Sequence, residues 1–181
     1  SVEEQIRYRY DTNGKHSPRM SAFTDMPFQF GPFHIRPVPV RHAPGVPNLG
    51  FVIECGSGSS YRKIVACTDL CEPDDIADEL PDADFIYIES NHDLELLRLN
   101  WNYASKFHLS NPRTGELLVK SCSGSRKAPQ AILLGHLSQQ RNIPELAVRT
   151  IHEAFLSRGM DLPCPISTAP AICPSTVICI D

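Results

Sequence analysis

The β-rich segments of this chain change their spacing along the sequence, and that change constrains the fold more than any other feature. Residues 49–55 and 61–67 form two strand-like runs separated only by the loop at residues 56–60. A loop this short, made of glycine and serine, predicts a β-hairpin. The next strand-like runs, at residues 84–89 and 131–134, are separated by stretches with helical periodicity. A hairpin followed by alternating strands and helices indicates an α/β fold with covered sheets.

Further elements are predicted on either side of these strands. Residues 33–40 alternate apolar residues with polar residues or proline, which suits a strand near a sheet edge because proline cannot donate to a ladder. A short helix is expected to open at residues 72–75, with longer ones over residues 92–103, after Asn111 or Thr114, and over residues 144–156. A last strand is predicted over residues 176–180, preceded by a proline-rich connecting loop at residues 162–174.

The composition indicates the domain organisation. With 181 residues, 41% of them apolar and 21% charged, the chain is predicted to form one globular domain. Residues 1–32 are polar and broken by glycine and proline, so we expect a poorly ordered or partner-dependent leading segment, with the domain over residues 33–181. The sequence has neither a run of about 18 apolar residues nor a signal peptide's apolar core, so a cytoplasmic protein without a membrane span is expected.

Cysteine usage and charge narrow the functional classes. Seven cysteines, an odd number without a Cys-x-x-Cys pair, are expected to be reduced core residues rather than a disulfide framework or a zinc knuckle. The net charge of -4 gives no overall attraction to nucleic acid. A nucleic-acid substrate would therefore need a local basic patch, for which the candidates are Arg36, Arg41, Arg62 and Lys63.

Three polar residues follow predicted strands: His42, Asp69 and His136. Strand ends present side chains to a ligand while the sheet holds them in place, so these residues are candidate functional groups. Imidazole nitrogen and carboxylate oxygen are ligands for zinc or manganese, and one carboxylate can bridge two ions. A metal site is therefore the hypothesis. Taken alone, each residue also has an ordinary alternative, as a loop histidine, a helix-capping aspartate and a core histidine.

Five segments of the chain, in order, resemble the metallo-β-lactamase-fold nucleases, most of all the YycJ-type exonuclease group and more distantly RNase Z. The resemblance runs from about residue 28 to residue 151, and the ordered set is more specific than any single match. The segments are Val40-Arg41-His42 followed by Leu49-Gly50-Phe51-Val52-Ile53, then Ala66-Cys67-Thr68-Asp69-Leu70, Ile88-Glu89-Ser90-Asn91-His92-Asp93, His108-Leu109-Ser110-Asn111, and Leu133-Leu134-Gly135-His136-Leu137-Ser138.

The resemblance implies a fold, an activity and a site. The fold would be the C-terminal two-thirds of an αββα metallo-β-lactamase sandwich, and the activity that of a metal-dependent phosphodiesterase or nuclease acting on nucleic acid. His42 would bind one of two divalent ions, Zn or Mn, His136 would bind the other, and Asp69 would bridge both. His108 would be catalytic, donating a proton to the leaving oxygen or steadying the developing charge. His92 would either orient a ligand or start a helix.

One motif of the family, His-x-His-x-Asp-His, should precede residue 33, and nothing in residues 1–32 resembles it. The two ions would then be incompletely liganded by this chain alone. Three explanations stay open: the chain lacks an N-terminal segment, a partner chain supplies the histidine cluster, or the chain is a degenerate, non-catalytic binding module. Hydrolysis of an ester, thioester or lactam is the alternative reaction. A second departure, at Ser105-Lys106-Phe107 where the family has a longer basic segment, leaves the substrate side of the pocket open.

Overall fold

The sheet in the computed structural model, which describes residues 25–181, has seven strands that neighbour one another in sequence order. The strands are β1 (Phe28–Phe30), β2 (Phe33–Val40), β3 (Asn48–Cys55), β4 (Arg62–Cys67), β5 (Phe85–Glu89), β6 (Ala131–Gly135) and β7 (Ile166–Thr168). Neighbours from β1 to β4 are antiparallel, whereas β4 to β7 are parallel. Short loops suffice for the antiparallel pairs, and the parallel pairs need longer crossovers. The predicted hairpin and the α/β class are confirmed.

Within residues 25–181, four helices accompany the sheet: α1 (Asp74–Ala77), α2 (Leu94–Leu99), α3 (Asn111–Gly124) and α4 (Pro144–Leu156). Short 3-10 helices lie at Gly58–Ser60 and Tyr103–Phe107. Helix α4 has the bounds that were predicted. Its start could be predicted because proline is favourable in the first turn of a helix, where its missing backbone N–H is not needed. Among residues 25–181, no helix is long and apolar enough to cross a membrane.

The core lies on one face of the sheet. Val52, Val65, Ile86 and Ile132 are paired neighbours across β3 to β6, and each is at most 1% exposed. They form one apolar cluster with buried side chains of the two long helices, namely Leu117, Leu118, Ile151 and Phe155. Burying each aliphatic or aromatic side chain contributes roughly 1.5–3 kcal/mol. This cluster therefore fixes the central strands relative to α3 and α4.

The carboxyl ends of four strands meet at one edge of the sheet. β2 and β4 are each antiparallel to β3, so they point the same way, and β5 and β6 run parallel to β4. Residues that directly follow β2, β4, β5 and β6 therefore lie along the same edge, which is where open α/β sheets bind their ligands.

The regular structure begins earlier than predicted. β1 falls inside the leading segment expected over residues 1–32, and it pairs with β2 through a two-residue turn in which Gly31 has a φ of 58°. Such hairpin turns need a positive φ, which glycine adopts readily. A three-residue strand between Pro27 and Gly31 is too short to show a period. The rest of that leading segment, residues 1–24, lies outside the described residues.

The last strand is also not where it was predicted. Residues 176–180 form no strand, and Val177 is 89% exposed. Instead β7 lies in the predicted loop at residues 162–174 and pairs with β6 at the end of the strand order. At this position Pro165 contributes only its carbonyl oxygen, which accepts from the backbone N of Ile132 at 3.1 Å. Prolines beside an edge strand are therefore tolerated.

The helix predicted over residues 92–103 is shorter than expected. Asp93 caps α2, since its side chain accepts from the backbone N of Glu95 at 2.9 Å and of Leu96 at 3.0 Å. The helix ends before Asn100, and Trp101 is 70% exposed. The apolar spacing that suggested a longer helix therefore does not mark a buried face.

Gly115 provides a test of the contact between the two long helices. A Cβ at this position in α3 would lie 2.7 Å from Cβ of Ala154 in α4. Because the helices would have to move apart, Gly115→Ala is expected to lower the free energy of unfolding by about 1–3 kcal/mol in urea denaturation. The control is Gly124→Ala in the same helix, where a Cβ meets nothing within 4 Å and stability should be unchanged or slightly higher. Equal stability of the two variants would contradict the close helix contact.

The seven cysteines are free, but they do not all lie in the core as expected. Cys67 is 2% exposed, whereas Cys173 and Cys179 are exposed. Burial raises the pKa of the Cys67 thiol to about 12. Its reactive thiolate is therefore scarce near neutral pH.

This contrast predicts selective alkylation. In the folded protein, iodoacetamide should label Cys173 and Cys179 about a hundred times faster than Cys67, because both thiolate fraction and access favour the exposed thiols. Mass spectrometry of the labelled peptides measures the rates. In denaturing urea the three rates should converge, and a Cys67 that reacts as fast as Cys173 without urea would contradict its burial.

Candidate metal centre

The three residues predicted from the strand ends come together in the structure. His42 follows β2, Asp69 follows β4 and His136 follows β6. Nε2 of His42 lies 3.8 Å from Oδ1 of Asp69, and Nε2 of His136 lies 3.5 Å from the same oxygen. The three side chains are 18%, 38% and 40% exposed, so a ligand can reach them from solvent.

Each of the two imidazoles is held through its other nitrogen. Nδ1 of His42 lies 3.1 Å from the carbonyl oxygen of Phe107, and Nδ1 of His136 lies 2.8 Å from Oε2 of Glu89. A carbonyl and a carboxylate can only accept, so each Nδ1 donates its proton. Each Nε2 then carries a lone pair, which faces Asp69. Histidines that bind metals are oriented in this way.

The backbone at Asp69 and His136 is in the left-handed region, with φ of 56° and 54°. This conformation costs a non-glycine residue roughly 1–2 kcal/mol. Two asparagines hold it: Nδ2 of Asn48 donates to the carbonyl oxygens of Thr68 and Asp69, both at 2.8 Å, and Nδ2 of Asn91 donates to that of His136 at 2.9 Å. Strain of this kind clusters at functional sites.

Glu89, which ends β5, is a site residue to which the sequence assigned no role. Its side chain is 0% exposed. Oε2 accepts from the backbone N of Asp69 at 2.8 Å, from Nδ1 of His108 at 3.1 Å and from Nδ1 of His136 at 2.8 Å. Oε1 accepts from the backbone N of Leu109 at 2.6 Å. The sequence did contain a signal for Glu89, because it is a charged residue at the end of the apolar run of a buried strand.

The pKa shifts at Glu89 and His136 follow from this contact. Burial alone raises the pKa of the Glu89 carboxyl, but the hydrogen bonds from His108 and His136 outweigh it and the pKa is lowered. The hydrogen bond to Glu89 raises the pKa of His136 above its usual value, against the effect of burial. A buried, ionised carboxylate therefore faces the imidazoles.

His108 lies between the other two histidines, but its Nδ1 rather than its Nε2 faces Asp69. Its ring centroid is 5.0 Å from that of His42 and 5.0 Å from that of His136. Nδ1 of His108 contacts Glu89 and lies 3.7 Å from Oδ1 of Asp69. Nε2 is thereby left for a ligand, and the side chain lines a cavity of about 180 Å³ beside the centre.

Donor atoms of Asp69, Glu89, His108 and His136 lie within 4.8 Å of one another. The oxygens of Glu89 already accept from four donors, so this residue orients its neighbours rather than offering a lone pair to an ion. His42, Asp69 and His136 keep lone pairs that face one another. The chemistry of these three groups fits zinc or manganese.

His92 does not start a helix, since α2 begins two residues later. It is 5% exposed, and its Nδ1 lies 3.3 Å from Oδ1 of Asn91, whose amide holds the carbonyl of His136. Burial lowers the pKa of His92. The neutral His92 ring therefore supports the turn that carries His136.

The arginines predicted to form a basic patch are paired with acids around α1. Nη1 of Arg36 donates to Glu79 at 2.9 Å, and Nη2 of Arg41 donates to Asp75 at 2.7 Å. The other two candidates begin β4, at the opposite end of the sheet from the centre. The prediction of a free basic patch from these four residues is therefore wrong.

Solved structures with a similar fold define the fold class of this protein. The chain is similar to the metallo-β-lactamase-fold protein YhfI from Bacillus subtilis, with a TM-score of 0.59, 18% identity, and coverage of 92% of this chain and 58% of YhfI. A diphosphatase from the PhnP family matches with a TM-score of 0.53, 13% identity, and coverage of 92% of this chain and 52% of the diphosphatase. The chain is a metallo-β-lactamase-fold protein, which confirms the predicted fold.

The sequence adds a more specific relative. Over 100 residues the chain is 35% identical to the exodeoxyribonuclease WalJ of Streptococcus pneumoniae, covering 49% of this chain and 36% of WalJ. The chain thus spans about a third of the length of this curated relative. No model of a protein family matches the sequence. The similarity to WalJ supports the predicted resemblance to the YycJ-type group.

Glu89→Gln tests whether the buried carboxylate orients the centre. An amide has one acceptor oxygen, so at least one of the four donors would face an NH2 group. We expect the free energy of unfolding to fall by about 1–3 kcal/mol and metal affinity to fall about 10–100-fold. Urea denaturation and metal titration measure the two effects.

The matched control is Glu95→Gln, whose side chain is 73% exposed. Its stability should stay within about 0.5 kcal/mol of the unmodified protein, and its metal affinity should not change. Equal metal affinity in the Glu89 and Glu95 variants would contradict the orienting role.

Proposed function

We propose that this protein is a metal-dependent phosphodiesterase that hydrolyses nucleic acid. The observation that carries the proposal is the meeting of His42 and His136 at one oxygen of Asp69, with His108 held beside them by Glu89. Partial identity to an exodeoxyribonuclease supports the substrate class. A cytoplasmic location stays a prediction from the sequence.

His42, Asp69 and His136 would hold the divalent ions, Zn or Mn. Such ions, when bound, act as Lewis acids toward a phosphoryl oxygen and make water more acidic. His108 would donate the proton on Nε2 to the leaving oxygen of the cleaved phosphodiester. Glu89 accepts from Nδ1 of the same ring, so it keeps Nε2 aimed outward.

The three proposed ligands are too few for two firmly held ions. With Asp69 counted for both, each ion has two protein ligands, whereas catalytic zinc sites usually have three. We therefore propose that further ligands come from a segment outside this chain's sequence or from a partner chain. The lengths of the relatives are compatible with the first source.

The cavity beside His108 favours a phosphodiester over an ester, thioester or lactam. An acyl hydrolase needs a closed apolar pocket for its acyl group. Here Asn91, Asn102, Ser105 and Arg141 are among the lining residues, and the lining is mainly polar. Polar donors with a positive charge suit a phosphate-containing substrate.

His108→Ala and His136→Ala separate catalysis from metal binding. In the intact gene product, His136→Ala should lower bound metal because a ligand is lost. His108→Ala should keep its metal but lose about 100-fold or more of the cleavage rate, which is the usual contribution of a general acid. Elemental analysis and a fluorescent oligonucleotide assay measure the two properties.

The control for both variants is His152→Ala, an exposed histidine on α4, which should change neither property. Full cleavage by both site variants would reject the assigned roles. An intact protein that retains only traces of zinc or manganese after dialysis, and cleaves nothing, would favour the non-catalytic binding module.

A further inference from the structure

A small cavity next to the centre carries side chains to which the proposed hydrolysis assigns no catalytic role. It has a volume of about 180 Å³ and shares His108 and His136 with the centre. Its other walls include Asn102, Ser105 and Arg141. No carboxylate is among its lining residues, in the part of the chain that the structure describes. With no carboxylate and with the guanidinium of Arg141 in its wall, this lining favours an anion over a cation.

Arg141 gives this cavity its formal charge. Nε of Arg141 donates to the carbonyl oxygen of Asn100 at 2.6 Å, and Nη2 donates to Oε1 of Gln140 at 3.2 Å. Both partners are neutral, and within residues 25–181 no carboxylate forms an ion pair with this guanidinium. Arg36 and Arg41, by contrast, are neutralised by acids. Arg141 is thus a positioned cation whose charge is available to a ligand.

Two further features favour an anion here. Oδ1 of Asn102 accepts from the backbone N of Ala104 at 2.9 Å, which fixes the amide and leaves its NH2 group as a donor. Ser105 is 4% exposed and is one of the polar residues that line the cavity. Because Arg141 and Asn102 are already held by backbone contacts, little side-chain freedom is lost when a ligand binds.

The size of the cavity indicates which chemical group it can bind. Pockets for whole small molecules are usually about 300–1,000 Å³, so this one suits a single charged group rather than a base with its sugar. A phosphate monoester carries a charge of about −1.5 to −2 at neutral pH, whereas an internal phosphodiester carries one. Arginine favours the group with more charge and more acceptor oxygens.

From these observations we infer that the cavity lined by Arg141, Asn102 and Ser105 binds a terminal phosphate monoester of the nucleic-acid strand, next to the bond that is cut. Arg141 is then a specificity-determining residue that favours phosphate-terminated ends over hydroxyl-terminated ends. This inference rests on the proposed phosphodiesterase function for the identity of the substrate, but the anion subsite itself is argued only from this chain's residues.

Equilibrium binding tests the subsite. Three fluorescent oligonucleotides of one sequence, carrying a 5′-phosphate, a 3′-phosphate or hydroxyls at both ends, are titrated with the intact gene product in EDTA so that the strands stay whole. One phosphorylated end should bind about tenfold more tightly than the hydroxyl ends, and the end that does so identifies the strand polarity. Arg141→Met should bring this ratio close to one, and Arg141→Lys should keep part of it because the charge remains.

Arg158→Met is the matched control, since Arg158 lies at the groove between α3 and α4, away from the centre, and its ratio should equal that of the unmodified protein. Unfolding curves show whether each variant is folded. Equal binding of all three oligonucleotides by the unmodified protein, or an unchanged ratio in folded Arg141→Met, would overturn the subsite. Cleavage is scored separately with Zn or Mn added: a phosphate preference without cleavage would reject the proposed function and keep the subsite.

Discussion

The carboxylate of Glu89 connects three of the four loops that form the candidate centre. Its two oxygens accept from the loop after β4, from the loop before α3 and from the loop after β6. Removing an ionised carboxylate from water is costly, and the cost is offset only when its lone pairs are satisfied. Four donors meet that requirement. The same bonds that make the buried charge tolerable therefore set the positions of Asp69, His108 and His136.

The sheet brings those loops within reach of Glu89. Strands β2 and β4 are both antiparallel to β3, so they run in the same direction, and β5 and β6 run parallel to β4. Residues as distant in sequence as His42 and His136 can then share one oxygen of Asp69. The sheet alone leaves their rings free to rotate, and the bonds from Nδ1 to Phe107 and Glu89 remove that freedom. Topology and side-chain bonding thus supply different parts of the geometry.

The sequence predicted the parts of the fold whose signals are local. The hairpin at β3 and β4, the buried strands and the proline-led α4 all follow from spacing and turn residues. The short β1 and β7 were missed because three residues carry no period, and their pairing depends on neighbours elsewhere in the chain. His42, Asp69 and His136 could be proposed from the strand ends, and the structure brings them together. The side-chain contacts of Glu89, to residues at least 19 positions away, could not, nor could the contact of Arg141 with Asn100, 41 positions away.

The chain fixes the geometry of the candidate centre more completely than it provides ligands for metal ions. Ring orientation, turn strain and the direction in which His108 presents Nε2 are determined by bonds within residues 25–181. The proposed ligand set is incomplete by comparison, since two imidazoles and one carboxylate would satisfy only part of the coordination of two ions. A preorganised but underliganded centre should bind an ion weakly rather than lose its shape without one, because its geometry is held by hydrogen bonds. Added ligands would then increase affinity without having to reorganise His42, Asp69 and His136, which is the condition under which a preformed site gains the most from each new bond.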